Sequence, residues 1–247
     1  MSCKAFLTSS LMDDYRIPPR LCDGNLLVEK LRAVWKPDSK MLVISGHPDL
    51  HSQNDSLTVE IKLLFGKALL PLSSIEVCDS RNPEVLERVG EMDVLLLSGG
   101  FASKQHALMQ RGKLVEKLAD FHGIVIGFSA GSMSCAEHVC LMPKVQGTTL
   151  TFDDGDTEKC LPGLDILHGL GVLPHFRYKL EVLMPLACPV LADYFEHEII
   201  GLDDGSWILV DGASATLYGE GYRMKDGKIE CIYEHGETLE LYSKREE

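Results

Sequence analysis

No stretch of this sequence approaches the ~18 consecutive apolar residues that a membrane-spanning helix requires. The opening Met1-Ser2-Cys3-Lys4-Ala5-Phe6-Leu7 is too short an apolar run for a secretory signal, so a cytoplasmic protein that does not engage a membrane is expected. Basic residues are in the minority: 24 Lys and Arg against 37 Asp and Glu leave a formal net charge of −13. Phosphate binding depends on cations that displace counterions, so nucleic acid is excluded as an expected partner. A field of this sign also repels acidic substrates, and a site accepting one needs a cation of its own. The chain has eight cysteines (Cys3, Cys22, Cys78, Cys135, Cys140, Cys160, Cys188 and Cys231) but no Cys-x-x-Cys and no zinc-type Cys/His cluster. They read as small buried hydrophobes in a reducing compartment. Internal repeats, low-complexity tracts and linkers are also missing, and a single α/β domain over 1–247 is expected.

What is present is an alternation. Apolar runs near 5–8, 41–45, 74–78, 94–98 and 124–127 are rich in Val, Ile and Leu, as strands covered on both faces should be. Between them, 26–35, 57–69, 83–89 and 104–121 have helical spacing; the last sets Leu108, Leu114, Leu118 and Phe121 among Lys, Arg and Gln. This order predicts a doubly wound, mostly parallel sheet flanked by helices, with ligands beyond the carboxyl ends of its strands. A long polar loop is expected over 143–163, and a helix from about 177 to 195. From 198 to 247 the pattern changes to strand-like runs separated by Asp211-Gly212 and Asp226-Gly227, predicting antiparallel hairpins added to the sheet edge.

The segment Gly123-Ile124-Val125-Ile126-Gly127-Phe128-Ser129-Ala130-Gly131-Ser132-Met133 carries the chemistry. An apolar strand runs into Gly-x-Ser-x-Gly and then into a helix-compatible stretch, the context in which a sharp turn lifts a nucleophilic serine. Gly127, Ala130 and Gly131 supply the small residues such a turn needs. The helix start after Ser129 directs amide hydrogens at a developing oxyanion, which nominates the Ala130 amide. A serine hydroxyl needs a base. Among nine histidines, His175 stands at the end of an apolar run in Leu173-Pro174-His175-Phe176, with His47, His106 and His235 as competitors. Gly99-Gly100-Phe101 ends the neighbouring strand and offers a second oxyanion amide at Gly100. Asp153-Asp154-Gly155-Asp156 lacks the full calcium-loop pattern ending in glutamate, and neither a metal nor a cofactor is expected.

Together, the strand before Gly99-Gly100, the Gly-x-Ser-Ala-Gly turn, the Leu-Pro-His-Phe segment and Asp204-Gly205-Ser206 resemble the dipeptidase E and cyanophycinase family of serine peptidases. The resemblance implies a fold like that of class I glutamine amidotransferases, with serine in place of their cysteine. It implies Ser129 as nucleophile, His175 as general base, and Gly100 and Ala130 as oxyanion donors. It also implies an acid between serine and histidine; Asp153 is the first choice, with Asp154, Asp156 and Glu137 as alternatives. Many members follow the paired glycines with Asn-Thr, where this chain has Phe101-Ala102, so Phe101 becomes a substrate-contact candidate. The expected reaction is cleavage of a short peptide, one with an aspartyl residue included, through an acyl-enzyme on Ser129. Arg177 would be the cation for that residue. Two other readings stand beside it: an α/β-hydrolase-type esterase using His235, and an inactive binding or regulatory module on the same scaffold. Both a monomer and a homodimer fit the sequence.

Overall fold

In the computed structural model, residues 3–13, 19–141, 144–146, 149–151, 160–182, 197–232 and 238–243 are described. The apolar runs become parallel strands β1 (Lys4–Thr8), β2 (Ser39–Gly46), β3 (Leu72–Cys78), β4 (Val94–Gly100) and β5 (Ile124–Phe128). They lie in the order β1-β5-β4-β2-β3. Their lack of alternation has a direct cause, since both faces are covered. Ala5, Leu7, Leu42, Leu95 and Val125 enter one apolar cluster, while Phe6, Met41, Val43, Leu96 and Ile126 enter the other. Helices α1 (Leu27–Arg32) and α2 (His51–Lys67) close the second face; α3 (Ala102–Arg111), α4 (Leu114–Leu118) and α5 (Ala130–Ser134) close the first.

Helix boundaries depart from the periodicity where backbone geometry overrides it. The stretch expected as one helix over 104–121 breaks at Gly112-Lys113, with Lys113 at φ 51°. A Cβ on Gly112 would lie 2.0 Å from Leu86 Cδ1, so the chain there passes tightly against the 3-10 helix Pro83–Glu91. The helix expected at 26–35 is shortened by a left-handed Leu26, at φ 66°. The one expected from 57 begins earlier, at His51.

The carboxyl-terminal strands divide between two sheets. After β6 (Gly171–Pro174) and α6 (Phe176–Val182) come β7 (Ile199–Leu202), β8 (Trp207–Asp211), β9 (Ser214–Tyr218), β10 (Gly221–Lys225), β11 (Lys228–Cys231) and β12 (Thr238–Ser243). Strands β8, β9 and β12 extend the main sheet antiparallel from β1, as expected for edge additions, giving eight strands. Strands β7, β10 and β11 instead join β6 in a separate four-stranded sheet, where β6 and β7 run parallel. The chain therefore crosses from the small sheet to the large one between β7 and β8. Both hairpins form: Asp226 and Gly227 have φ 50° and 72°, the two positive values a type I′ hairpin requires, while the first hairpin turns at Gly212-Ala213, with Asp211 still in β8 and paired with Ser214.

Within the stretch expected as a loop over 143–163, Lys144–Gln146 pairs with Thr149–Thr151 and Cys160–Pro162 with His138–Cys140. The helix expected to run from 177 to 195 is described as far as Val182. No helix among the described residues is long and apolar enough to cross a membrane. Of the cysteines, Cys3, Cys78, Cys135 and Cys140 are buried free thiols, Cys231 is exposed, and Cys188 lies outside the described residues. Leu96, with no exposed surface at the centre of β4, tests the two-faced core: Leu96→Ala should lower unfolding free energy by about 2–5 kcal/mol. Urea denaturation with an unchanged m-value would register this, and a loss below ~1 kcal/mol would mean the core closes around the gap.

Candidate active site

Four parallel strands deliver their carboxyl ends to one edge of the main sheet. Ser9 follows β1, His47 follows β2, Gly99-Gly100 ends β4 and Ser129 follows β5. Ser129 sits at φ 51°, ψ −120°, a sparsely populated conformation that costs about 1–3 kcal/mol and persists only when its surroundings impose it. Here they do. The Ser129 N–H donates to the carbonyls of Thr8 (3.1 Å) and Ser9 (3.2 Å), and Ser132 Oγ–H donates to Thr8 O at 2.8 Å. A Cβ on Gly131 would lie 2.0 Å from Leu97 O, and one on Gly127 would lie 2.9 Å from Gly131 O. The glycines of the motif are therefore required by the close approach of β4 and α5.

His175 follows β6, itself at φ 55°, and its Nε2 lies 3.1 Å from Ser129 Oγ. Its Nδ1 lies 2.7 Å from Asp204 Oδ1. With the carboxylate accepting from Nδ1–H, Nε2 is left to accept the serine proton. Asp204 belongs to the turn between β7 and β8, where the chain crosses between sheets. The carboxylate at the imidazole thus comes after His175 in the chain, whereas the resemblance implies an acid between Ser129 and His175. Asp153, Asp154 and Asp156 lie outside the described residues. Glu137 faces His138 instead, with Oε1 3.6 Å from its Nε2.

Ser9 is the residue that sequence reasoning overlooked. Fully buried, its Oγ–H donates to Asp204 Oδ1 at 2.7 Å and its Oγ accepts the His175 main-chain N–H at 2.8 Å. A serine two places into a polar run after a strand carries no local signal of this. The Asp203-Asp204-Gly205-Ser206 turn did carry one, an acidic pair directly before a strand.

The remaining expected residues are placed as follows. Ala130 is the first residue of α5, where an amide has no intrahelical acceptor. Gly100 has φ 137° and ends β4 where its register with β2 shifts, between Ile44 and Gly46. Phe101 packs edge-on against His47 with ring centroids 4.9 Å apart, and Lys104 Nζ lies 5.1 Å from its ring centroid. Arg177 is engaged within the protein: Nη2 lies 2.8 Å from Asp203 Oδ2 and also pairs with Glu220. His47 packs on Phe101, His106 lines a surface cleft with Met109 and Pro162, and His235 lies outside the described residues.

The hydrogen bond from His175 holds the Asp204 carboxyl below its ordinary range, with Ser9 and the Lys179 charge adding to the effect against partial burial. Burial pushes Asp203 upward despite Arg177. Burial also pushes Lys179 down to about 8, while its Nζ donates to Pro174 O at 2.6 Å. Two clefts flank the serine and the imidazole. One of about 460 Å³ is lined by Asn25, Arg177, Asp203, Asp204 and Glu220. The other, of about 420 Å³, is lined by Met12, His47, Asn54, Leu57, Glu60, Gly99 and Phe128. Gly99 abuts the serine, since a Cβ there would lie 3.3 Å from Ser129 Cβ. No group of side chains suited to a metal ion occurs among the described residues.

The model of peptidase family S51 matches residues 49–218. Among solved structures, a peptidase from an acI-B1 Actinobacterium superposes with a TM-score of 0.66 at 18% identity, covering 98% of each chain. A protein assigned to peptidase E from Listeria monocytogenes EGD-e gives 0.58 at 17% identity, over 88% of this chain and 98% of its own. At these identities the likeness speaks to the fold. Among curated proteins none matches.

The depressed Lys179 makes a pH test of this corner. An unfolded lysine keeps its proton to about 10.4, so between about 8 and that value the unfolded chain holds a proton that the folded protein has released. Stability from this group therefore rises with pH across that window. Lys179→Met should flatten the rise in melting temperature between those pH values; parallel profiles for variant and wild type would show that Lys179 titrates normally.

Proposed function

Because the chain belongs to peptidase family S51, we propose that it hydrolyses short peptides as a serine peptidase, through an acyl-enzyme on Ser129. The observation that carries this reading is the continuous line from Ser129 Oγ to His175 Nε2 at 3.1 Å and from His175 Nδ1 to Asp204 Oδ1 at 2.7 Å. Ser129 Oγ attacks the scissile carbonyl as Nε2 takes its proton. Asp204 holds the imidazole in the tautomer that can accept and offsets the charge that forms. The amides of Ala130 and Gly100 are the oxyanion donors in this reading. The imidazolium then returns its proton to the leaving amine, and water repeats the sequence to release the acyl group. Asp204 supplies the acid whose loss the binding-module reading requires, and His175 stands where an esterase reading would need His235.

The cleft beside Gly99 and Phe128 is suited to the side chain next to the scissile bond. Its described lining has Glu60 and neutral polar groups but no Lys or Arg, and burial together with Lys104 pushes the His47 pKa down. Arg177, the cation expected for an aspartyl substrate, is already paired with two carboxylates. These features support neutral polar or basic side chains at this position over acidic ones.

Three measurements test the reading. A fluorophosphonate should label Ser129, located by mass spectrometry, and Ser129→Ala should abolish both labelling and peptide hydrolysis while remaining folded. Absence of an adduct on the folded wild type would overturn the mechanism. Asp204→Asn should lower kcat by about 10³–10⁴-fold, the scale set by loss of the orienting carboxylate in another serine peptidase, whereas Asp153→Asn should leave it unchanged. In matched peptides, Glu60→Lys should shift kcat/KM from basic toward acidic residues by roughly two- to fivefold, the range a partly exposed ion pair supports.

A further inference from the structure

Resting on the catalytic reading of Ser129, His175 and Asp204, we infer that Ser9 is the positioning residue of the site, the one side chain that fixes imidazole and carboxylate relative to each other. The need for one is visible in the exposures. The Asp204 side chain is 62% exposed and that of His175 35% exposed, so water competes for the carboxylate and screens the pair. Ser9 has no exposed surface. Its hydroxyl closes a ring of hydrogen bonds: the His175 N–H donates to Ser9 Oγ (2.8 Å), Ser9 Oγ–H donates to Asp204 Oδ1 (2.7 Å), and that same oxygen accepts His175 Nδ1–H (2.7 Å). Along the path from the His175 N–H through the Ser9 hydroxyl to Asp204 Oδ1 each donor polarises the next, and the Nδ1–H converges on the same oxygen.

The same residue reaches the nucleophile through its main chain. Its carbonyl accepts the Ser129 N–H at 3.2 Å, and its own N–H donates to Ser206 O at 3.4 Å, in the turn that carries Asp204. One residue at the end of β1 thereby contacts all three members of the site. His175 adopts a left-handed conformation (φ 55°) that only an imposed contact maintains, and the Ser9 hydroxyl is the acceptor that meets its amide. Without the hydroxyl, the carboxylate keeps its link to the ring but loses its anchor in the protein interior.

A double-mutant cycle tests this. Ser9→Ala should lower kcat by about 10- to 100-fold, the loss of a hydrogen bond to a charged group, with KM nearly unchanged. In an Asp204→Ala background, Ser9→Ala should cause a much smaller loss, because only its contact with the His175 amide is left to remove. Equal losses in both backgrounds would overturn the proposal and make Ser9 a general structural residue. A second readout needs no reaction. The downfield imidazole Nδ1–H proton resonance of His175 should broaden or shift in Ser9→Ala and return in Ser9→Thr, which restores the hydroxyl. An unchanged resonance in a folded Ser9→Ala protein would overturn the proposal. If the wild type failed to label at Ser129, the peptidase reading would fall while this resonance still decided the role of Ser9.

Discussion

The carbonyls of Thr8 and Ser9 accept the amide of Ser129, and the Ser9 hydroxyl joins His175 to Asp204. These contacts at the end of β1 are the constraint on which the rest of the site depends. They can all meet there because β1 is the strand where the parallel and antiparallel halves of the main sheet join. On one side, Thr8 lies in register with Phe128, which places the serine turn beside it. On the other, Thr8 lies in register with Trp207, which brings in the turn that carries Asp204.

Register is therefore a functional quantity in this protein. A slip of one residue between β1 and β8 would invert the side chains of β8 and carry Asp204 away from the imidazole. Stacked rings resist that slip: Phe6 lies 5.7 Å from Trp207, and Trp207 lies 4.0 Å from Tyr218 on β9, nearly parallel at 4°. Aromatic pairs across adjacent strands add directional attraction to the area they bury. Trp207 also donates from Nε1 to Asn25 O, which ties the β8 end to the segment preceding α1. The core thus holds the relative position of two strands whose ends are reactive.

The two sheets share the site between them. The large sheet carries Ser129 and the amides of Gly100 and Ala130 at the ends of β4 and β5. The small sheet carries His175 and Asp204 beyond the ends of its parallel pair, β6 and β7. Strained backbone occurs at the junction, where Ser129 and His175 both have positive φ. Such conformations hold only where surrounding contacts over-determine them, and here those contacts come from the end of β1.

What could be read from the residues was whatever is local. The serine turn lies within eleven consecutive residues, its glycines are dictated by crowding within the turn and against the next strand, and its flanking strand is a plain apolar run. The strand–helix alternation and the Asp-Gly hairpins are equally short-range, and the sheet followed from them. Helix ends were misjudged where tight packing imposed a break, as at Gly112 against Leu86. The resemblance points to an acid in the interval between Ser129 and His175, whereas the carboxylate that meets the imidazole arrives from the turn where the chain switches sheets. Ser9 was out of reach altogether: its partner His175 lies 166 positions away. A serine hydroxyl announces no role until the fold sets an amide on one side of it and a carboxylate on the other. The sequence alone determined the serine turn and the kind of sheet that presents it, because both depend on neighbours along the chain. Tertiary structure alone decided which carboxylate meets the imidazole and what anchors it, because those contacts exist only once two sheets have closed on the end of β1.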